Sequence, residues 1–188
     1  MADKIFDDFV RQEQQAVEVS DKKPVDWQAE KTAWLRHLEE LFTQVNGYLK
    51  PYVDAGQVVI DYRTIDLNEE YIGLYSAREM IITIGSKTIK LEPIGALILG
   101  SKGRVDVVGL IARAQLLLLD SKVRSTSQLI HVSVGIKGGQ PSSPPRKSPS
   151  DIKWVWRIVT RPPRREIIEI NKDNFLNLLV EISNGQNI

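Results

Sequence analysis

The sequence predicts an α+β domain: a long N-terminal helix packed on a curled antiparallel β-meander of about 8–10 strands, followed by a short C-terminal helix. Three observations predict this class. Apolar residues recur at helical spacing between residues 26 and 49. From Gln57 onwards apolar and polar residues alternate in short segments, and a second helical stripe follows Asn171.

The first helix is predicted over residues 26–49. Asp26 is a suitable N-cap, because its carboxylate accepts hydrogen bonds from the free N–H groups of the first turn. Pro51 disfavours a helical conformation at the preceding residue, and Gly56 favours a helix end, so the helix is expected to stop near Leu49. The predicted buried stripe consists of Trp34, Leu38, Leu41, Phe42, Val45 and Leu49.

The region after Gln57 is typical of an antiparallel meander, because its segments are short and parallel strands need longer crossovers. The glycine turns at 85–87 and 100–102 are interpreted as hairpin turns, since they lie between strands and lack the helix of a phosphate-binding loop. The predicted strands are Val58–Asp66, Tyr71–Tyr75, Glu79–Ile84, Thr88–Glu92, Leu97–Leu99, Arg104–Val108, Arg113–Leu119, Leu129–Val134, Lys153–Thr160 and Glu166–Ile170.

Two further features concern packing. Residues 94–99 and 116–119 are apolar on both faces of their strands, so the sheet is expected to be covered on both sides there. Asn171 is a suitable cap for the final helix, and Gly185 favours its end. The apolar stripe of that helix consists of Phe175, Leu178, Leu179 and Ile182.

The chain is expected to hold one domain over residues 26–188, preceded by a weakly structured segment, 1–25. Residues 135–151 are rich in glycine, proline and serine, a composition that does not build a packed core. We therefore predict a mobile loop over 135–151.

Composition excludes several kinds of function. The chain has no cysteine, so it has neither a thiolate nucleophile nor a cysteine-based metal site. No segment reaches the roughly 18 apolar residues of a spanning helix, and the N-terminal residues do not resemble a signal peptide. A cytoplasmic protein without membrane contact is the expectation.

A basic cluster is the most prominent charged feature. The net charge is only +1, yet the last third of the chain is clearly basic. Arginines beside a loop favour phosphate or acidic ligands, although a solvated strand edge is the simpler interpretation. Alternation places Trp154 and Trp156 on the opposite face from Arg157, which indicates that both tryptophans fill the core. The cluster consists of Arg146, Lys147, Lys153, Arg157, Arg161, Arg164 and Arg165.

Catalytic and metal-binding residues are not predicted, nor is a cofactor. His37 and His131 are the two histidines, and neither has a second ligand at metal-binding spacing. Acidic residues surround a predicted turn at 66–70, and Asp61 and Asp106 were candidates to meet across strands. Acid–base catalysis needs two carboxylates in different environments facing one cleft, which the sequence does not indicate.

Three hypotheses follow for function. The first is a non-catalytic binding or adaptor protein that contacts another protein, or a second copy of itself, through an exposed apolar patch. The second is an anion or nucleic-acid binder that uses the basic C-terminal cluster. The third is an enzyme whose polar groups converge only in the folded chain.

Overall fold

A computed structural model describes residues 25–96, 101–124, 152–160 and 166–184. It contains two helices, α1 (Trp27–Asp54) and α2 (Lys172–Asn184), and one seven-stranded sheet. The predicted α+β class is confirmed, and the sheet does not close into a barrel. The strands are β1 (Val58–Glu69), β2 (Gly73–Ile84), β3 (Lys87–Gly95), β4 (Arg104–Val108), β5 (Arg113–Asp120), β6 (Trp154–Val159) and β7 (Ile167–Glu169).

Helix α1 begins as predicted and ends later than predicted. The Asp26 carboxylate accepts hydrogen bonds from the N–H groups of Gln28 and Ala29, which confirms the N-cap. The expected stop near Leu49 is wrong, because Pro51 lies inside the helix. Pro51 lies in the last turn, where its lack of an N–H costs the helix one hydrogen bond, to the carbonyl of Gly47 one turn earlier.

The true end of α1 is a Schellman motif. Gly56 has a φ of 69°, and its N–H donates to the carbonyl of Val53 at 2.9 Å. The N–H of Gln57 donates to the carbonyl of Tyr52 at 2.9 Å. These two bonds satisfy carbonyl groups that the helix leaves free, so Gly56 terminates the helix as the sequence indicated.

The sheet follows the chain in the order β1-β2-β3-β4-β5-β6-β7, and every neighbouring pair is antiparallel. Tyr71–Tyr75 and Glu79–Ile84 were predicted as separate strands, and this is wrong. Both belong to β2, apart from the turn residues 71–72, because residues 76–78 continue the pairing with β1. The predicted strands Leu97–Leu99 and Leu129–Val134 lie outside the described residues, as do most of segment 1–25 and the loop 135–151.

The core lies between one face of the sheet and the two helices. Residues opposed across neighbouring strands share this face, for example Ile82 with Ile89, Leu91 with Val107, and Leu116 with Ile158. The stripe predicted for α1 is buried throughout. The indole of Trp156 lies 6.0 Å from that of Trp34, and Trp154 packs beside the core, so both β6 tryptophans point where alternation predicted.

Two further packing predictions are confirmed. Leu116 and Leu119 are fully buried although they point to opposite sides of β5, so the sheet is covered on both sides there. The same prediction fails at Ile94, which is 39% exposed, and residues 97–99 lie outside the described residues. The Asn171 side chain accepts a hydrogen bond from the N–H of Asn174 at 2.9 Å and caps α2. The α2 stripe, Phe175, Leu178, Leu179 and Ile182, is buried. Gly185 lies outside the described residues.

The Glu69 carboxylate joins the tip of the β1–β2 hairpin to the end of β3. It accepts hydrogen bonds from the N–H of Ala96 at 3.0 Å and from the hydroxyl of Tyr75. Burial, together with the hydrogen bond to Glu69, raises the pKa of Tyr75 above its ordinary value of 10.0. The folded chain therefore favours the neutral phenol.

Tyr75→Phe is expected to cost about 1.5–3 kcal/mol of stability at pH 7, because it removes a hydrogen bond to a charged group. The cost should shrink above pH 10. There Tyr75 loses its proton in the unfolded chain but keeps it in the folded chain, so the stability of the wild type falls. Urea unfolding at pH 7 and pH 10.5 measures both effects. Tyr52→Phe, at an exposed tyrosine, is the control, and a Tyr75→Phe deficit that does not change with pH would contradict the prediction.

Candidate functional site

The basic cluster is described only in part. Lys153 is exposed, just before β6, whereas Arg157 is 8% exposed and its Nη1 lies 3.7 Å from the carboxylate of Glu169 on β7. Arg157 therefore contributes to the pairing of β6 with β7. Arg146, Lys147, Arg161, Arg164 and Arg165 lie outside the described residues.

The acidic candidates do not form a catalytic pair. Asp61 lies on β1 and Asp106 on β4, with β2 and β3 between them, so the expected meeting across strands is wrong. Asp106 instead accepts two hydrogen bonds from Arg104, at 2.6 and 2.7 Å, and these raise the pKa of the Arg104 guanidinium. Within the described ranges, no three acidic or histidine side chains are placed to hold a metal ion.

The remaining candidates have structural contacts. The His37 ring lies 2.9 Å from a carboxylate oxygen of Glu40, and the His37 carbonyl accepts a hydrogen bond from Trp156. Gly85 has a φ of 57° and forms the tight turn between β2 and β3, as predicted. His131 and Gly100 lie outside the described residues. Lys102 lies two residues before β4, and its N–H already donates to the carbonyl of Leu118 on β5 at 2.9 Å.

The sheet face away from the helices carries ion pairs between neighbouring side chains. Glu79 is 1% exposed, and its carboxylate lies 2.8 Å from Arg63 on the neighbouring strand β1. A buried carboxylate needs such a partner, because its desolvation is costly. The pairs on this face are Arg63 with Glu79, Arg104 with Asp106, and Arg157 with Glu169.

One end of the molecule gathers exposed apolar side chains. The β2–β3 and β4–β5 turns lie at this end, together with the end of α1 and the start of β1. We call this surface the apolar end. Its exposed residues are Tyr52, Val53, Val59, Ile84, Leu110, Ile111 and Val180.

A groove of about 440 Å³ opens at the apolar end, between the last turns of α1, the first residues of the sheet and α2. The Lys87 ammonium crosses one side and donates to the carbonyl of Ser183 at 2.9 Å. Among the described residues that line the groove, Lys87 is the only charged one. Its apolar lining consists of Leu49, Tyr52, Val58, Ile84, Leu176, Leu179 and Val180.

The β4–β5 turn presents two aliphatic side chains. The Gly109 N–H donates to the carbonyl of Ala112 at 3.0 Å and closes the turn. Leu110 is 81% exposed and Ile111 is 58% exposed, at a position where hairpins usually carry asparagine or glycine. A Cβ at Gly109 would lie 2.6 Å from the carbonyl oxygen of Ile182, so the missing side chain lets this turn rest on α2.

The sequence reasoning did not single out these residues. The groove is lined by three segments that are distant in the chain, and no periodicity relates them. The aliphatic turn had a signal, because the predicted strands 104–108 and 113–119 leave Leu110 and Ile111 between them. Two large apolar residues in a short turn are exposed whenever both strands form.

Comparison of the chain with protein-family models, with curated proteins and with solved structures found no match. No helix in the described part of the chain is both long and apolar enough to cross a membrane.

Proposed function

We propose that this chain is a non-catalytic binding protein that contacts a protein partner through its apolar end. The observation that carries the proposal is the aliphatic turn, where Leu110 and Ile111 extend into solvent beside an apolar groove. Large apolar side chains that are grouped and exposed mark interaction sites more often than isolated ones do. The proposal also follows the first hypothesis drawn from the sequence.

The chemistry of the groove supports binding over catalysis. Its described lining offers one ammonium group, from Lys87, and no carboxylate or histidine. Acid–base catalysis would need a second ionisable group within reach of the same ligand. An apolar segment of a partner would instead gain from the apolar walls, at roughly 25 cal/mol per Å² of apolar area removed from water.

The turn is suited to act as an anchor. Interfaces are dominated by a few side chains that fill pockets on the partner, and the turn places two such side chains on a well-supported backbone. Because Gly109 rests on α2, the turn is already ordered before the partner binds. Less conformational entropy is then lost on association.

Affinity capture with the tagged chain, at low and high salt and with and without nuclease, tests the proposal. A protein partner should survive high salt and nuclease, and should be lost when Leu110→Ser and Ile111→Ser are combined. Truncating residues that dominate an interface costs about 2 kcal/mol or more, which weakens binding about thirtyfold or more.

Leu74→Ser is the matched control, because Leu74 is 73% exposed but lies at the opposite end of β2. It should leave capture unchanged. Equal loss with both variants would contradict a role for the apolar end. Recovery that collapses with salt or nuclease would instead favour the basic cluster and justify replacing Arg161, Arg164 and Arg165 by alanine.

A further inference from the structure

The two edges of the sheet differ sharply. Strand β7 has 3 residues and ends the sheet on one side, whereas β1 has 12 residues and ends it on the other. In the part of the chain that the structure describes, no strand pairs with the outer edge of β1. The outer N–H and C=O groups of a strand this long are a template for another strand.

Strand β1 lacks three of the devices that commonly block such pairing, namely proline, lysine and a bulge. It contains no proline and no lysine, and its pairing with β2 runs without a bulge from Val58 to Glu69. Two of its large side chains are exposed to solvent, Val59 at 52% and Tyr62 at 38%. β-Branched and aromatic residues, which are frequent in β1, favour strand pairing.

The side chains of β1 are complementary to themselves in one antiparallel register. When two copies pair about a dyad at Tyr62, Asp61 of each copy lies opposite Arg63 of the other, and Val59 lies opposite Ile65. A dyad at Arg63 would oppose the two arginines, and a dyad at Thr64 would place Asp61 opposite Leu67. Opposite charges in such pairs are stabilising and like charges are destabilising.

The residues concerned are available for this pairing. Asp61 is exposed and has no ion-pair partner among the described residues, and the Arg63 side chain is 57% exposed although it also contacts Glu79. Tyr62 is held in place, because its hydroxyl accepts a hydrogen bond from Asn46 at 2.7 Å and Arg78 lies over its ring. A groove of about 420 Å³ between α1 and β1 leaves room beside Ile60 and Tyr62.

From these observations we infer that the chain forms a symmetric dimer in which two β1 strands pair antiparallel about a dyad at Tyr62. The two sheets become one continuous sheet. The start of β1 borders both this interface and the apolar end, but the two proposals are tested by different residues: Asp61 and Tyr62 here, and Leu110 and Ile111 for the partner site.

Disulfide trapping tests the register. The chain has no cysteine, so each single-cysteine variant reports one dyad position. Residues directly opposed across antiparallel strands have Cα atoms about 4.5–5.5 Å apart, which suits a disulfide. Under mild oxidation Tyr62→Cys should form a covalent dimer, while Arg63→Cys, Thr64→Cys and the exposed control Leu74→Cys should not. Cross-linking of Thr64→Cys in preference to Tyr62→Cys would overturn the register.

Charge reversal tests the dimer without touching Tyr62. Sedimentation equilibrium over an about hundredfold concentration range should show a mass of twice 21.3 kDa for the wild type. Asp61→Arg should weaken the dimer at least about tenfold, because an arginine then lies opposite Arg63 of the other copy at both symmetry-related positions. The unfolding midpoint of this variant should stay near that of the wild type. Asp66→Arg, which lies opposite Val58 in this register, should change the affinity much less. A wild type that stays monomeric, or equal effects of the two variants, would overturn the inference.

Discussion

Gly103→Ala should destabilise the fold by about 3 kcal/mol, at the upper end of the cost of overpacking a core. The reason is the close approach of the residue before β4 to the indole of Trp34. A Cβ built at Gly103 would overlap atoms of that ring, which is itself buried in the core. Trp34 also packs against Trp156, so its ring has little freedom to move away.

Urea unfolding of Gly103→Ala, Trp34→Phe and the double variant measures the effect. The smaller phenyl ring leaves space for the added methyl group, so the double variant should be more stable than the sum of the single effects predicts, by about 1 kcal/mol or more. Gly47→Ala is the control, because a Cβ there would meet nothing within 4 Å. It should stabilise α1 by about 0.5–1 kcal/mol. Additive effects of Gly103→Ala and Trp34→Phe would show that the ring is not the obstacle.

Phe175→Ala should cost about 3–5 kcal/mol, the usual range for removing a buried phenylalanine. Phe175 is fully buried and its ring lies 6.1 Å from that of Tyr48, so it joins α2 to α1. Since α2 forms one wall of the groove, loss of this anchor should also weaken partner binding at the apolar end.

Denaturant unfolding together with hydrogen exchange checks the Phe175 prediction. The α2 amides of Phe175→Ala should exchange faster than those of the sheet, because α2 loses its main anchor before the sheet opens. Leu176→Ala, at the neighbouring residue that lines the groove and is only partly buried, should cost clearly less. A similar loss for both variants would mean that Phe175 has no special anchoring role.

The elements with regular apolar spacing were the most predictable from sequence. The stripe from Trp34 to Leu49 and the caps Asp26 and Asn171 act within a few residues of each other, so their positions follow from local chemistry. The end of α1 was placed too early because proline normally disfavours helix, whereas Pro51 lies in the last turn, where it removes one hydrogen bond and the helix continues to Asp54. A break was wrongly predicted within β2 because Ala77 and its neighbours have weak strand preference. Their pairing with β1 keeps the strand continuous.

The candidate sites were less predictable, because they depend on contacts between distant segments. Leu176 and Ile84 line one groove although they belong to α2 and β2. The burial of Arg157 similarly depends on where β7 lies. Asp61 and Arg63 are visible in the sequence as opposite charges two residues apart. They indicate self-pairing only once β1 is known to be an edge strand.

The strictly sequential order of the sheet has a kinetic consequence. Each strand from β1 to β5 pairs with its neighbour across a connection of at most eight residues, so little loop entropy opposes these steps and they are expected to be fast. The connection between β5 and β6, residues 121–153, is far longer than the others. Its closure brings β6, β7 and α2 onto a hairpin array that has already formed. The transition state for folding is therefore expected to be polarised towards the first five strands, with the C-terminal unit docking last.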